Sequence, residues 1–197
     1  MGRDIPHLLL RFFKEEDHAN QFLSGSIRAG LLEYYRGVED ARKDVTEGQS
    51  SVYFPGKDVP VRASSTSLHR YYIVCTTHPE VDVNYVAAKY GHFMVRIHQP
   101  LVLLERIKVA WQAHSLAEND GAFVAGVEYT KDEMREADPY YSPPPHLVYL
   151  QKRRIDEMDR EYRYLLQTKV DAKRNWDSHL FLTVPDCRDI CSGVSRK

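Results

Sequence analysis

No apolar run in this chain approaches the roughly 18 residues that a membrane-spanning helix needs, so a soluble protein with no membrane partner is expected. The first apolar cluster, Leu8 to Leu10, is preceded by Asp4 and followed by the charged stretch Arg11 to Glu16. That is not how a signal peptide is built, and the cytoplasm is the expected location. Cysteine is scarce: Cys75, Cys187 and Cys191 form an odd set without the paired spacing of a zinc site. Cys187 and Cys191 could meet in a C-terminal turn, or all three could remain reduced thiols. Net charge is also nearly absent, at −1. Global attraction to nucleic acid is therefore excluded, while a local basic face stays open.

Several motifs are missing as well. No GxGxxG opens a helix after the first strand, which removes a Rossmann nucleotide site. GSIRAG, residues 25 to 30, has the glycine spacing of a phosphate loop but lacks the Lys-Ser or Lys-Thr that must follow. The nine histidines are scattered, without HExxH or a deaminase-type HxE and CxxC. In DARKDVTEG, residues 40 to 48, acids recur at Asp40, Asp44 and Glu47, yet Arg42 and Lys43 stand where a calcium loop needs oxygen ligands. No metal is expected. Those acids are more easily paired with Arg36, Arg42 and Lys43.

At 197 residues the chain is long enough for one substantial core and short for two, and 1–197 is read as a single domain. The pattern predicts a strand at 7–13, then a helix from 14 to 25 with Asp17 as its cap and Gly25 as its stop. Extended structure is expected over Ile27 to Tyr35, and short strands at 52–54 and 59–62. Residues 69–78 have the β-branched and aromatic content of a central strand. A helix closed by Gly91, a strand at 93–97 and a helix from 101 to 117 follow. Strands are predicted at 122–130, 161–168 and 178–185, the last taken as the final one. The prolines at 143–145 break the chain, and the segment after them is read as partly helical. Without regular βαβ alternation, the class expected is α+β.

Three polar features fall within or at the end of strands otherwise built for burial. They are Arg11 in LLLRFF, Thr76 and Thr77 closing YYIVCTT, and Glu161 opening EYRYLL. A charge in a buried strand costs several kcal/mol unless it is paired or faces a cleft, so Arg11 and Glu161 are either ion-pair residues or site residues. In order, these pieces resemble the ADP-ribosyltransferase fold: LLLRFF before HANQFLSG, YYIVCTT before a helix ending at AAKYG, and DREYRYLL. They span residues 8 to 166 and are closest to small bacterial toxin and phage-defence members acting on nucleic acid. Two departures are CTT in place of Ser-Thr-Ser and Asp159-Arg160-Glu161 in place of Glu-x-Glu. SSTS at 64–67 competes with CTT for the middle motif.

The resemblance implies split mixed sheets with flanking helices, and NAD as a substrate with no metal. Glu161 would stabilise the oxocarbenium-like ribose and Arg11 would bind NAD phosphates or ribose. Thr76 would brace the site, with Thr77 beside it. One of Tyr34 and Tyr35 would stack on nicotinamide while the other joins the core, and Arg36 and Arg42 would meet phosphate or target. Lys152, Arg153, Arg154 and Arg160, with Arg163 near and Tyr149, Tyr162 and Tyr164 interleaved, suit a nucleic-acid acceptor, RNA or DNA. The same residues would equally form a solvated face. Protein is the second acceptor class, an antitoxin is a possible partner, and the rival reading is a non-catalytic RNA- or protein-binding module. A nuclease around the acidic loop lacks a consistent metal set.

Overall fold

The apolar residues of Leu9–Phe13 form the first strand, β1, in a computed structural model that describes residues 5–36, 50–54, 61–65, 70–129, 150, 152, 154–170 and 176–194. Asp40, Arg42, Asp44, Glu47, Tyr149, Arg153 and the prolines at 143–145 lie outside the described residues, as does the side chain of Arg36. Helix α1, Glu16–Leu23, buries Ala19, Phe22 and Leu23. Its cap is Glu15, and Asp17 sits instead in the first turn beside Glu16, where the helix dipole favours acids. GSIRAG is no phosphate loop: it supplies Gly25, at φ +90°, and strand β2, Ser26–Leu31.

The expected extension to Tyr35 stops at Leu31, and Leu32–Arg36 winds into a 3-10 turn. Leu32 is fully buried there, and Tyr35 folds back against Gly30, where an added Cβ would overlap the phenol ring. A hairpin of β3, Ser50–Phe54, and β4, Val61–Ser65, follows. Next come β5, Tyr71–Thr77, α2, Val83–Tyr90, and β6, Phe93–Ile97. Helix α3, Pro100–Gln112, has Pro100 in its first turn and ends short of the residue expected. Strand β7 runs Ala117–Gly126, earlier than expected. A bulge with Asp120 at φ +54° lets the polar stretch Glu118 to Gly121 enter the sheet. A 3-10 turn at Arg154–Asp159 leads to β8, Glu161–Thr168, then β9, His179–Thr183. A further strand, β10, Cys191–Val194, pairs with β6. The cysteines are free thiols.

The class is α+β, but the sheet is not mixed: eight strands form one sheet in which every pairing is antiparallel. Strand β5 is its centre. On one side it pairs with β8 along its whole length. On the other, β2 takes Tyr72 and Ile73, and β1 takes Thr77. The sheet therefore forks beside Val74, Cys75 and Thr76.

Because successive side chains alternate between faces, the sheet has two different surfaces. One face carries Leu9, Val74, Val95, Tyr162 and Tyr164 and packs beneath α1 and α3 through Phe22, Leu103, Ile107 and Trp111. The other carries two smaller clusters, one around Leu10, Val81 and Val86 and one around Leu32, Tyr71, Ile73 and Leu165. In the register, Thr77 opposite Glu161 and Cys75 opposite Arg163 stand between those clusters. Among the described residues no helix is long and apolar enough to cross a membrane.

Gly91 ends α2 at φ +122° with its α-hydrogen against the backbone of Phe13. A Cβ there would collide with the Phe13 carbonyl, whereas at Gly193 it would meet only the Leu23 methyl at 3.2 Å. Gly91→Ala should therefore cost at least about 1–3 kcal/mol in urea unfolding, and Gly193→Ala well under half of that. Equal midpoints for the two variants would contradict this account of the α2–β1 junction.

Candidate functional site

Arg11 sits in the fork. Its Nη1 donates to the Cys75 carbonyl at 3.1 Å, on β5, and its Nη2 to the Arg28 carbonyl at 3.3 Å, on β2. The guanidinium thus takes acceptors left open where β1 and β2 diverge. The rings of Phe13 and Phe22 lie 5.2 Å from its Cζ, giving the cation aromatic faces on the helix side. Nε is buried and has no hydrogen-bond partner among the described residues. Burial lowers the guanidinium from its ordinary value, with the neighbouring Cys75 and Tyr35 opposing that shift.

Glu161 opens β8 and is buried. Its Oε1 accepts from Arg163 Nε at 2.6 Å, and its Oε2 lies 2.7 Å from Lys152 Nζ. The two-residue spacing of Glu161 and Arg163 places both on one face of the strand, while Lys152 comes from the far side of the 3-10 turn. The Glu161 backbone N–H is fixed by donating to the Tyr129 hydroxyl at 2.7 Å. Burial would raise this carboxyl, but the charges of Arg163 and Lys152 overcome it and hold the group well below the usual carboxylate range. Glu161 is ionised.

Asp159, also buried, is the second carboxylate. It accepts from Lys89 Nζ at 2.8 Å and from the Tyr90 hydroxyl at 2.7 Å, both at the end of α2. Its backbone carbonyl accepts the Thr77 hydroxyl, and Thr76 donates to the Tyr162 carbonyl at 3.0 Å. The threonine protons therefore brace the strand junction. The Cys75 thiol is pushed up, first by burial and then by the charge of Glu161, so at neutral pH it is no nucleophile.

One cavity of about 450 Å³ collects these groups, a volume within the range of small-molecule sites. Arg11, Tyr34, Tyr35, Thr76, Thr77 and Glu161 all line it, brought together from the length of the chain. Tyr35 packs on the core cluster beneath the turn, while Tyr34 is 43% exposed. Among the described residues, five cations line the cavity (Arg11, Lys14, Arg28, Lys152, Arg163) against three carboxylates (Glu15, Asp159, Glu161). Its character is net positive.

Among the described residues, those expected to form a basic face near 149–164 do not share one surface. Lys152 turns inward to Glu161, Arg163 is 1% exposed, and Tyr162 and Tyr164 are buried in the core. Arg154 is exposed, and Arg160, at φ +41°, pairs with Glu80 at 3.1 Å. Sequence reasoning left Asp159 as a motif position only and passed over Lys89 and Tyr90. Arg163 could have been recognised from its two-residue spacing to Glu161, whereas nothing local marks Lys89 or Tyr90. Among the described residues no cluster of three His, Cys, Asp or Glu could hold a metal ion. No protein-family model, curated protein or solved structure matches this chain, so its function has to be read from this geometry.

Removing the Glu161 charge strands two buried cations. Glu161→Gln should lower stability by about 3–5 kcal/mol at neutral pH. The folded-state pKa is depressed, so the contribution of Glu161 is complete above the ordinary glutamate value of 4.5 and is lost as pH falls through the folded value. The gap in urea midpoint between wild type and Glu161→Gln should therefore be constant near neutrality and narrow below pH 4.5. A gap that widens on acidification would show that the ion pairs are not formed.

Proposed function

We propose that the chain is an NAD-dependent ADP-ribosyltransferase of the toxin or phage-defence kind, acting on nucleic acid. The observation that carries this reading is that Arg11 and Glu161 line one net-positive cavity with Thr76, Thr77, Tyr34 and Tyr35. In the reaction, the bond between ribose C1′ and the nicotinamide nitrogen breaks, and its electron pair neutralises the pyridinium ring. Positive charge then builds on the ribose, and an acceptor nitrogen or oxygen attacks C1′ and releases its proton.

A fixed carboxylate beside the ribose favours that transition state over the ground state. Glu161, ionised and held at its backbone by Tyr129, takes this role. Arg11 presents N–H donors suited to phosphate. Tyr34, exposed at the cavity, offers a face for the cationic nicotinamide ring.

One observation favours the rival, a non-catalytic RNA- or protein-binding module. Two cations on Glu161 offset its charge, and an oxocarbenium ion gains less from a carboxylate so compensated. The transferase reading requires Lys152 to yield when the ribose binds.

Labelled NAD separates the two. Wild type should release nicotinamide, and Glu161→Asp, which keeps the charge but withdraws it by one methylene, should lower kcat about 10²-fold with thermal unfolding largely retained. Folded wild type that neither binds NAD nor releases nicotinamide would leave the binding module as the better reading.

A further inference from the structure

We infer that the outer rim of the cavity, on the β2–β9 side, is a platform on which an unpaired base of the acceptor strand stacks, with its phosphate on Arg28. Arg28 and Phe181 are directly paired across β2 and β9, so their side chains share one face, and both line the cavity. Phe181 is 54% exposed. His179, two residues along the same strand face, packs against its ring in a T-shaped arrangement with centroids 5.9 Å apart. Phe181 is thus a large exposed ring beside an exposed arginine in the lining of the cavity.

The charges select the ligand. Asp159 is matched by Lys89, and Glu161 by Arg163 and Lys152. Of the other charged residues lining the cavity among the described residues, Lys14 and Arg28, like Arg11, are cations and Glu15 is the acid. An aromatic ring beside positive charge suits bases and phosphates together, and it suits single strands because a duplex hides its base faces. The platform's role as an acceptor site rests on the transferase reading, although strand binding itself does not.

Fluorescence anisotropy of the full chain with labelled single-stranded RNA and DNA of one sequence, and with the matching duplex, tests the platform without NAD. Single strands should bind more tightly than duplex. Phe181→Leu, which keeps apolar bulk on an edge strand but removes the ring, should weaken single-strand binding about 5- to 100-fold, and Phe181→Tyr should restore it. Arg28→Gln should reduce the salt slope by about 0.7. With no strand present, the KM for NAD should be unchanged in Phe181→Leu.

Unchanged strand binding in Phe181→Leu, or a preference for duplex, would overturn the platform. So would a raised KM for NAD with strand binding intact, because the ring would then hold the adenine of NAD. ADP-ribose transferred only to protein, with no strand bound, would also sink it. Strand binding that depends on Phe181 in a protein releasing no nicotinamide would support the platform and remove the transferase.

Discussion

Two strands compete for one edge of β5, and the Arg11 guanidinium makes the compromise stable. A fork in a sheet leaves backbone carbonyls without ladder partners, and each one buried and unmatched costs about 1–3 kcal/mol. Arg11, on β1, donates across the fork to Cys75 on β5 and Arg28 on β2, so one side chain satisfies acceptors on both neighbouring strands. A lysine has donors enough but not the planar spread that reaches both. The cavity follows from this arrangement, because β1 and β2 cannot close over the space that the guanidinium and its flanking rings hold.

The buried charges on the opposite face obey a related constraint. Glu161 with Arg163 and Lys152, and Asp159 with Lys89 and Tyr90, form two compact networks between apolar clusters. Well-packed apolar residues would often be as stable there, since desolvation offsets most of the attraction between buried ions. Stability alone therefore gives little reason for so many charges at one place. Their presence at a cavity, with Arg11 entering from the fork, is what points to chemistry.

Much of the fold could be read where local pattern and tertiary context agree. Phe93–Ile97 and Glu161–Thr168 coincide with the expected strands, and Gly91 closes the helix expected before it. The misses occur where long-range contacts override local preference. Leu32–Arg36 turns because Leu32 finds a buried site and Tyr35 a space over Gly30, neither visible in the local alternation. The polar run Glu118 to Gly121 joins a strand through a bulge, which period-two reasoning cannot anticipate. Arg11, Glu161 and the threonines were legible as candidates because polar groups in apolar strands stand out. Their carboxylate partners and cations were not, since Lys89 and Lys152 reach the site from other elements.

The fate of the QKRR stretch shows why a basic run in sequence is weak support for a basic surface. Lys152 points inward to a carboxylate while Arg154 faces solvent, so neighbours in the chain end on opposite sides of a buried network. The lining of the cavity is assembled the other way, from Lys14 after β1, Arg28 on β2 and Phe181 on β9, none of them near another in sequence. Folding separates these charges: Lys152, Arg163 and Lys89 are taken up by Glu161 and Asp159, while Arg28 stays exposed. On the proposed transferase reading, a dinucleotide held at the fork and a strand held at Arg28 and Phe181 would draw on different residues, so that strand binding and bond cleavage could be altered independently.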